Sequence, residues 1–293
     1  MADYVIVTDS TADLPSEVYS RMGVEVVPME FIMGDTVYQH YADAREMGFE
    51  EFYTRVKAGE KVSTTQINYY TYEQVFLPIL EAGKDIIYIC FSSGLSGTYQ
   101  GSRLAAEDLL EKFPERKISC IDSLCASIGE GLLVYRAALL QKSGMEFEEL
   151  EKWVYDNRLH SCHWFVVDDL EHLRQGGRIS AAQAILGTAL NVKPMLSVDD
   201  DGQLVPVIKL RGTRKIMDTF CRKIETDGDH VEEQTVIIGH AGAPGMAAQL
   251  ETVLKERGLI KDAIITDIGP IIGAHVGAGM FALVFMGKRN LGR

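Results

Sequence analysis

The sequence predicts an α/β protein in two domains. Residues 1–159 form an N-terminal domain on a mostly parallel sheet, and residues 160–293 form a C-terminal α+β domain with a mixed or antiparallel sheet. Three observations carry this expectation. The first half alternates short apolar runs with amphipathic stretches, the pattern of parallel strands covered by helices. Past residue 160 apolar runs follow one another directly, as across Asp199-Asp200-Asp201-Gly202, which reads as a turn between two strands. A length of 293 residues, 46% of them hydrophobic, supports a large core and more than one domain.

Taken in order, residues 4–8 read as the first strand. Asp9-Ser10-Thr11 and then Asp13-Leu14-Pro15 suit the start of a helix over residues 16–22. Residues 24–29 form the next strand. The polar stretch 34–59 is irregular until a helix at 49–57, and it leads into the loop Lys61-Val62-Ser63-Thr64-Thr65-Gln66. Residues 85–91 are a buried strand, and Thr98 opens a helix with Leu104, Leu109 and Leu110 on its apolar side. A strand at 117–122 precedes helices at 127–142 and 147–158. The second half carries strands at 164–167, 195–198 and 205–210, then strands at 235–240 and 263–268 around a helix at 246–257. Residues 269–287 are uncharged and nearly long enough to span a bilayer, but Pro270, Gly273, Gly277 and Gly279 break helical continuity. That stretch divides into a glycine loop and a strand at 280–286.

A net charge of −13 argues against nucleic acid or an anionic membrane surface as a standing partner. Cys90, Cys120, Cys125, Cys162 and Cys221 include no C-x-x-C pair and read as reduced core residues of a cytosolic protein. No basic region precedes the first apolar run, so no signal peptide is expected.

The chemistry gathers at turns. Phe91-Ser92-Ser93-Gly94-Leu95-Ser96-Gly97-Thr98 joins a strand to a helix start, where unpaired N–H groups collect. It lacks the lysine of a triphosphate loop and the G-x-S-x-G of an esterase elbow. Its hydroxyls suit a carboxylate better than a polyphosphate; the alternative is that these residues only cap the helix. The endings Asp9-Ser10 and Asp122-Ser123 fall on the same edge if the sheet is parallel, and ligands of open α/β sheets bind at that edge. His160, Cys162 and His163 have no second ligand pair, so no metal is expected. His40, His172 and His230 lie among charged residues and read as surface histidines. His240 ends an apolar strand, and His275 sits among glycines that permit close approach, facing a ligand or serving structure. Gly176-Gly177-Arg178-Ile179-Ser180 reads as a linker between helices in which Arg178 caps carbonyls or pairs with an acid, and Arg211-Gly212-Thr213-Arg214-Lys215 as solvated surface. Residue types alone also allow a serine-dependent hydrolase or acyltransferase acting on a lipid-like ester, with Ser93 or Ser96, His275 and Asp9 or Asp122. No basic recognition helix supports a DNA-binding regulator.

Four segments together carry a resemblance that spans the chain: residues 7–15 (VTDSTADLP), 92–100 (SSGLSGTYQ), 176–180 (GGRIS) and 273–277 (GAHVG). In this order they resemble the DegV family of bacterial fatty-acid-binding proteins. The resemblance implies a catalytically inert carrier with no cofactor, holding one long-chain fatty acid in a tunnel between the two domains. It implies that Thr64, Ser93 and His275 bind the carboxylate, with Thr65, Ser96, Arg178 and Arg211 as further head-group or partner contacts. Some members present the acid to a fatty acid kinase that phosphorylates the carboxylate. Transient membrane contact would serve lipid exchange. The loop reads Thr64-Thr65-Gln66-Ile67-Asn68 where the family has T-S-Q-P-S, which leaves open which threonine meets the ligand, and His275-Val276-Gly277-Ala278-Gly279 replaces H-V-G-P-G. Burying about fourteen methylenes at about 0.8 kcal/mol each gives roughly 11 kcal/mol, set against an association cost of about 4–15 kcal/mol. The tail therefore supplies the affinity and the head-group donors set orientation.

Overall fold

The computed structural model describes residues 3–185 and 192–291. The chain opens with β1 (Tyr4–Asp9), α1 (Ser16–Met22), β2 (Glu25–Val27), β3 (Met29–Met33), β4 (Thr36–His40), α2 (Phe49–Lys57) and β5 (Val62–Thr64). It continues through α3 (Tyr69–Glu81), β6 (Asp85–Cys90), α4 (Thr98–Lys112), β7 (Ile118–Asp122), α5 (Ile128–Lys142) and α6 (Phe147–Asn157). The second half holds β8 (Ser161–Val166), α7 (Glu171–Gln175), α8 (Ala181–Ile185), β9 (Lys193–Val198), β10 (Leu204–Leu210), α9 (Thr213–Asp227), β11 (Thr235–His240), α10 (Pro244–Glu256), β12 (Asp262–Asp267), α11 (Pro270–Val276) and β13 (Phe281–Met286).

Three sheets result. Strands β2-β1-β6-β7 pair in parallel throughout, as the alternating first half predicts. Strands β10-β9-β8-β13-β11-β12 form a mixed sheet in which β11 and β12 are the parallel neighbours. A small antiparallel sheet, β4-β3-β5, branches from the first part. Helix α5 packs against strands of both large sheets. Its first turn approaches β8 and the turn after β1 closely because two residues lack side chains: a Cβ at Gly129 would stand 1.7 Å from His163 Nε2, and one at Gly131 would stand 2.3 Å from the Ala12 carbonyl. The parallel edge, α5 and the inner face of the mixed sheet thus enclose a common space.

Several expectations need correction. The strand expected at 24–29 is two strands, because Pro28 has no N–H for a ladder, and pairing passes from parallel with β1 to antiparallel with β4. The polar stretch after Gly34 contains β4, and the expected loop at 61–66 begins as β5. His40, expected at the surface, is 4% exposed, and burial pushes its imidazole down to about 3. The buried side of α4 is Thr98, Ser102, Ala105, Ala106 and Leu109, while Leu104 faces solvent. The expected glycine loop contains helix α11. Among the described residues no helix is long and apolar enough to cross a membrane. The five cysteines are free, and all but Cys120 are buried.

Candidate functional site

The carboxyl ends of β1, β6 and β7 lie side by side, and the turns that leave them converge on one cavity of about 180 Å³. Its walls are mostly apolar: Phe91 from the serine turn, Ile128 from α5, Phe165 from β8, Leu204 from β10, Ile272 from α11 and Val284 from β13 all contribute. Thr64, Arg178 and His275 stand where this cavity meets a polar vestibule of about 680 Å³, lined also by Glu60, Lys61, Ser63, His172 and Gln175. An apolar interior thus ends at a polar mouth, the geometry that an amphipathic ligand requires.

Each mouth residue is held by a local device. Thr64 ends β5 opposite Phe31, and its Oγ1 lies 3.0 Å from His275 Nε2. Thr65 also faces the cavity, but its N–H donates to the Glu30 carbonyl and its hydroxyl turns to the Glu30 carboxylate. His275 occupies the last turn of α11, a helix drawn against α2 by Gly273, where a Cβ would come within 2.7 Å of Phe52 and of the Tyr53 hydroxyl. Burial and the neighbouring Arg178 push the His275 imidazole down to about 4, so it is neutral at physiological pH. Its Nδ1 is buried with no hydrogen-bond partner and stands where a Cβ on Gly176 would be, at 2.2 Å. Gly176-Gly177-Arg178 is therefore more than a linker: Gly176 leaves room for the histidine ring, and Gly177, at φ +72°, turns the chain so that Arg178 donates to the carbonyls of Leu95 and Gly176.

The serine turn distributes its hydroxyls in different directions. Ser92 is buried and donates to the Gly202 carbonyl at 2.8 Å, fastening the turn between β9 and β10 to the N-terminal half. Ser93 is exposed and is not among the cavity-lining residues; its N–H donates to the Asp122 carboxylate at 3.1 Å. Ser96 lines the cavity instead, with its hydroxyl 2.8 Å from that of Thr98. The structure thus joins Thr64, Thr65, Ser96, Arg178 and His275 and leaves Ser93 outside. Arg211 follows β10, is exposed, and lines neither the cavity nor the vestibule.

The catalytic arrangement considered for a serine hydrolase does not form. His275 faces Thr64 through one nitrogen and no carboxylate through the other. Asp122 accepts from the N–H groups of Ser93 and Leu124, and Asp9 is buried among four other donors. Among the described residues no group of three His, Cys, Asp or Glu side chains is placed to hold a metal ion. His163, adjacent to Cys162, uses Nδ1 toward the Ser161 carbonyl and receives the Ala126 N–H at Nε2.

Sequence reasoning missed a buried carboxyl group cluster below the cavity. Asp9 receives the N–H groups of Thr11 and Phe91 and the hydroxyls of Thr11 and Tyr88. Glu130 touches the hydroxyls of Thr8 at 2.8 Å and Thr11 at 3.1 Å. Thr11 has one hydroxyl proton, and its closer partner is Asp9, so the contact to Glu130 requires a proton on the glutamic acid. Burial and the Asp9 charge push the Glu130 carboxyl well above its usual range, which agrees with that count. The cap-like Asp9-Ser10-Thr11 pattern did signal one half of this network; Glu130, inside an apolar helix, gave no periodic signal of its own.

Comparison with known proteins gives a single result. A family model described as an uncharacterised protein of the DegV family matches residues 3–288. The DegV domain-containing protein CPE0026 of Clostridium perfringens is 37% identical over 287 residues, covering 98% of each chain. YteA of Lactococcus lactis, another DegV domain-containing protein, is 34% identical over 289 residues, covering 98% of this chain and 99% of its own. Among solved structures, a DegV family protein from Thermus thermophilus described for its fatty acid binding superposes with a TM-score of 0.85 at 29% identity, covering 97% of this chain and 99% of that one. DegV of Bacillus subtilis, a fatty acid binding protein, superposes with a TM-score of 0.82 at 26% identity, covering 98% and 100%. With the motifs, the sheet order and these matches in agreement over nearly its whole length, the chain belongs to the DegV family.

Proposed function

We propose that this protein binds one long-chain fatty acid, with the acyl tail in the apolar cavity and the carboxylate at the mouth between Thr64, Ser96 and His275. The observation that carries the reading is the hydrogen-bonded pair Thr64 and His275 at the boundary between the apolar cavity and the polar vestibule. A neutral imidazole and two hydroxyls donate to a carboxylate without a fixed positive charge, and Arg178 adds a cation beside them. Thr64 is the better-placed threonine, because Thr65 is turned toward Glu30. The fatty acid binding of the Thermus thermophilus and Bacillus subtilis relatives supports the same ligand class here.

The carboxylate would lie beside an open polar vestibule, a place where a second protein can reach it. This supports the finer reading that a cytoplasmic fatty acid kinase acts on the held acid to form an acyl phosphate, with Arg178 and Arg211 toward that partner and transient membrane contact during lipid exchange. The domain division at residues 159 and 160 belongs to the same reading: the parallel sheet uses strands up to Asp122 and the mixed sheet uses strands from Ser161 onward.

Mass spectrometry of an organic extract of the purified folded protein tests the ligand class. About one fatty acid per chain is the expected result. A lipid-free protein that also fails to take up added fatty acid would overturn the proposal.

A further inference from the structure

The proposed binding role leaves Asp13 unused, although this buried carboxyl joins both helices that frame the cavity. Its Oδ2 accepts the Ser127 hydroxyl at 2.5 Å, and its Oδ1 accepts the Gly269 N–H at 2.9 Å. Ser127 immediately precedes α5 and lines the cavity, with a backbone at φ 53° and ψ −137° that a non-glycine residue adopts only when its surroundings impose it. Gly269 immediately precedes α11, which supplies Ile271, Ile272 and Val276 to the cavity and His275 to its mouth. A Cβ at Gly269 would stand 2.1 Å from His40 and 2.8 Å from Asp13 Oδ1, so the junction has no slack.

We propose that Asp13 is a proton-operated positioning residue that couples this site to pH, an inference that rests on the fatty-acid reading above. In the ionised state Asp13 accepts from both Ser127 and Gly269. A proton taken from solvent onto Oδ2 reverses one bond: Asp13 donates to Ser127 Oγ, and the Ser127 hydroxyl proton is released from the carboxyl toward the cavity side. The groups facing Asp13 are Asp9 from β1, Glu130 from α5, Asp267 from β12, His40 from β4, Tyr19 from α1 and Tyr53 from α2. None supplies a compensating positive charge at neutral pH, since burial holds His40 down at about 3. Burial is the main force on Asp13 itself. With the charges of Asp9 and Asp267 it outweighs the bonds from Ser127 and Gly269 and lifts the carboxyl to about 8.

A fatty-acid carboxylate at His275 would lie six residues along α11 from Gly269, about 9 Å at the helical rise. Two negative charges at that separation disfavour each other, so ligand binding draws a proton onto Asp13. Affinity then falls as pH rises through about 8, by roughly tenfold at an intermediate dielectric.

The test is the affinity of full-length protein for oleic acid from about pH 6.5 to about pH 9.5, in the wild type and in Asp13→Asn. The ligand stays ionised over this range and His275 stays neutral. The asparagine side chain accepts from Gly269 and donates to Ser127 as the neutral acid does. The wild type is expected to lose about tenfold in affinity while Asp13→Asn gives a flat profile. Carbon-13 NMR of labelled aspartate in the wild type should show a carboxyl titrating at about 8, with its midpoint raised by oleic acid. That measurement decides the matter if the variant fails to fold. Binding with a flat wild-type profile, or an unchanged slope in the variant, overturns this inference alone. No binding at any pH overturns the fatty-acid reading and this inference with it.

Discussion

Replacing Gly176 by alanine probes the head-group geometry through a residue assigned no contact with the ligand. The glycine has φ −71° and ψ −9°, a backbone that alanine adopts freely, and helix-end propensity favours alanine by about 0.5–1 kcal/mol. The obstacle is local: the new methyl would stand 2.2 Å from His275 Nδ1 and 3.0 Å from Cε1. Backbone lies on one side and the mouth on the other, so the imidazole must rotate and give up its bond to Thr64. A hydrogen bond to a charged group is worth about 1.5–3 kcal/mol, which corresponds to roughly a 10- to 150-fold loss of fatty-acid affinity. Displacement of a fluorescent fatty acid would measure the affinity, and thermal unfolding of ligand-free protein would measure the fold. The expected outcome is weakened binding with a melting temperature within a few degrees of wild type. Wild-type affinity in a folded Gly176→Ala protein would refute the assignment of His275 to the carboxylate.

Ser96→Ala should weaken fatty-acid binding by about 1 kcal/mol or more, whereas Ser93→Ala should leave it unchanged; equilibrium binding of both variants checks the assignment of the inward serine. Arg289 donates to the carbonyls of Leu124, Arg158, Ser161 and Asp199 and contacts Cys125 Sγ, tying the start of the mixed sheet to the turn after β7. Arg289→Ala should therefore cost about 2–3 kcal/mol, read by chemical denaturation. Glu130 keeps a proton in the folded protein that the unfolded chain releases above its ordinary carboxyl range, so its contribution to stability falls as pH rises. Glu130→Gln preserves the donor to Thr11 without the titration and should raise the melting temperature at neutral pH, with a gain that grows toward alkaline pH.

The elements that were legible are those in which burial and period act together. Residues 235–240 and 16–22 have the bounds read from the sequence, because a strand opening on the β-branched run 235–238 and an amphipathic run that follows Pro15 each leave one solution. The missed strand β4 has no such signal: Thr36 and Val37 are exposed, and its pairing with β3 is what makes it extended. Small residues misled in two places. The buried side of α4 is mostly Ser, Thr and Ala, so of the expected leucines Leu109 lies on it while Leu104 is exposed. In α11, Gly273 read as a breaker because its intrinsic helix cost is visible in sequence, while the close approach to Phe52 and Tyr53 that it permits is tertiary.

The same limit explains the site. The four motif segments meet at one cavity: β1 and β6 of the parallel sheet deliver Thr11 and Ser96, the chain after α7 delivers Arg178, and α11 delivers His275. Which hydroxyl of a turn faces inward depends on what pins the turn. Here the pin is Ser92, whose bond to Gly202 docks the β9 to β10 turn, and Gly94 lies against that turn so closely that a Cβ would be 2.6 Å from the Asp201 carbonyl. With Ser92 held inward against the second half of the chain, the exposed Ser93 points to solvent and the turn closes through the Leu95 and Ser96 N–H groups onto the Ser92 carbonyl. Ser96 thereby lines the cavity, as does Gln66, whose side chain packs where Gly97 has none. The identity of the inward serine is fixed by a contact 110 residues away in sequence, and a contact of that range leaves no trace in local composition. Moving the pin should move the hydroxyl: a residue at 202 that expels Ser92 would misplace Ser96 without altering any residue of the mouth.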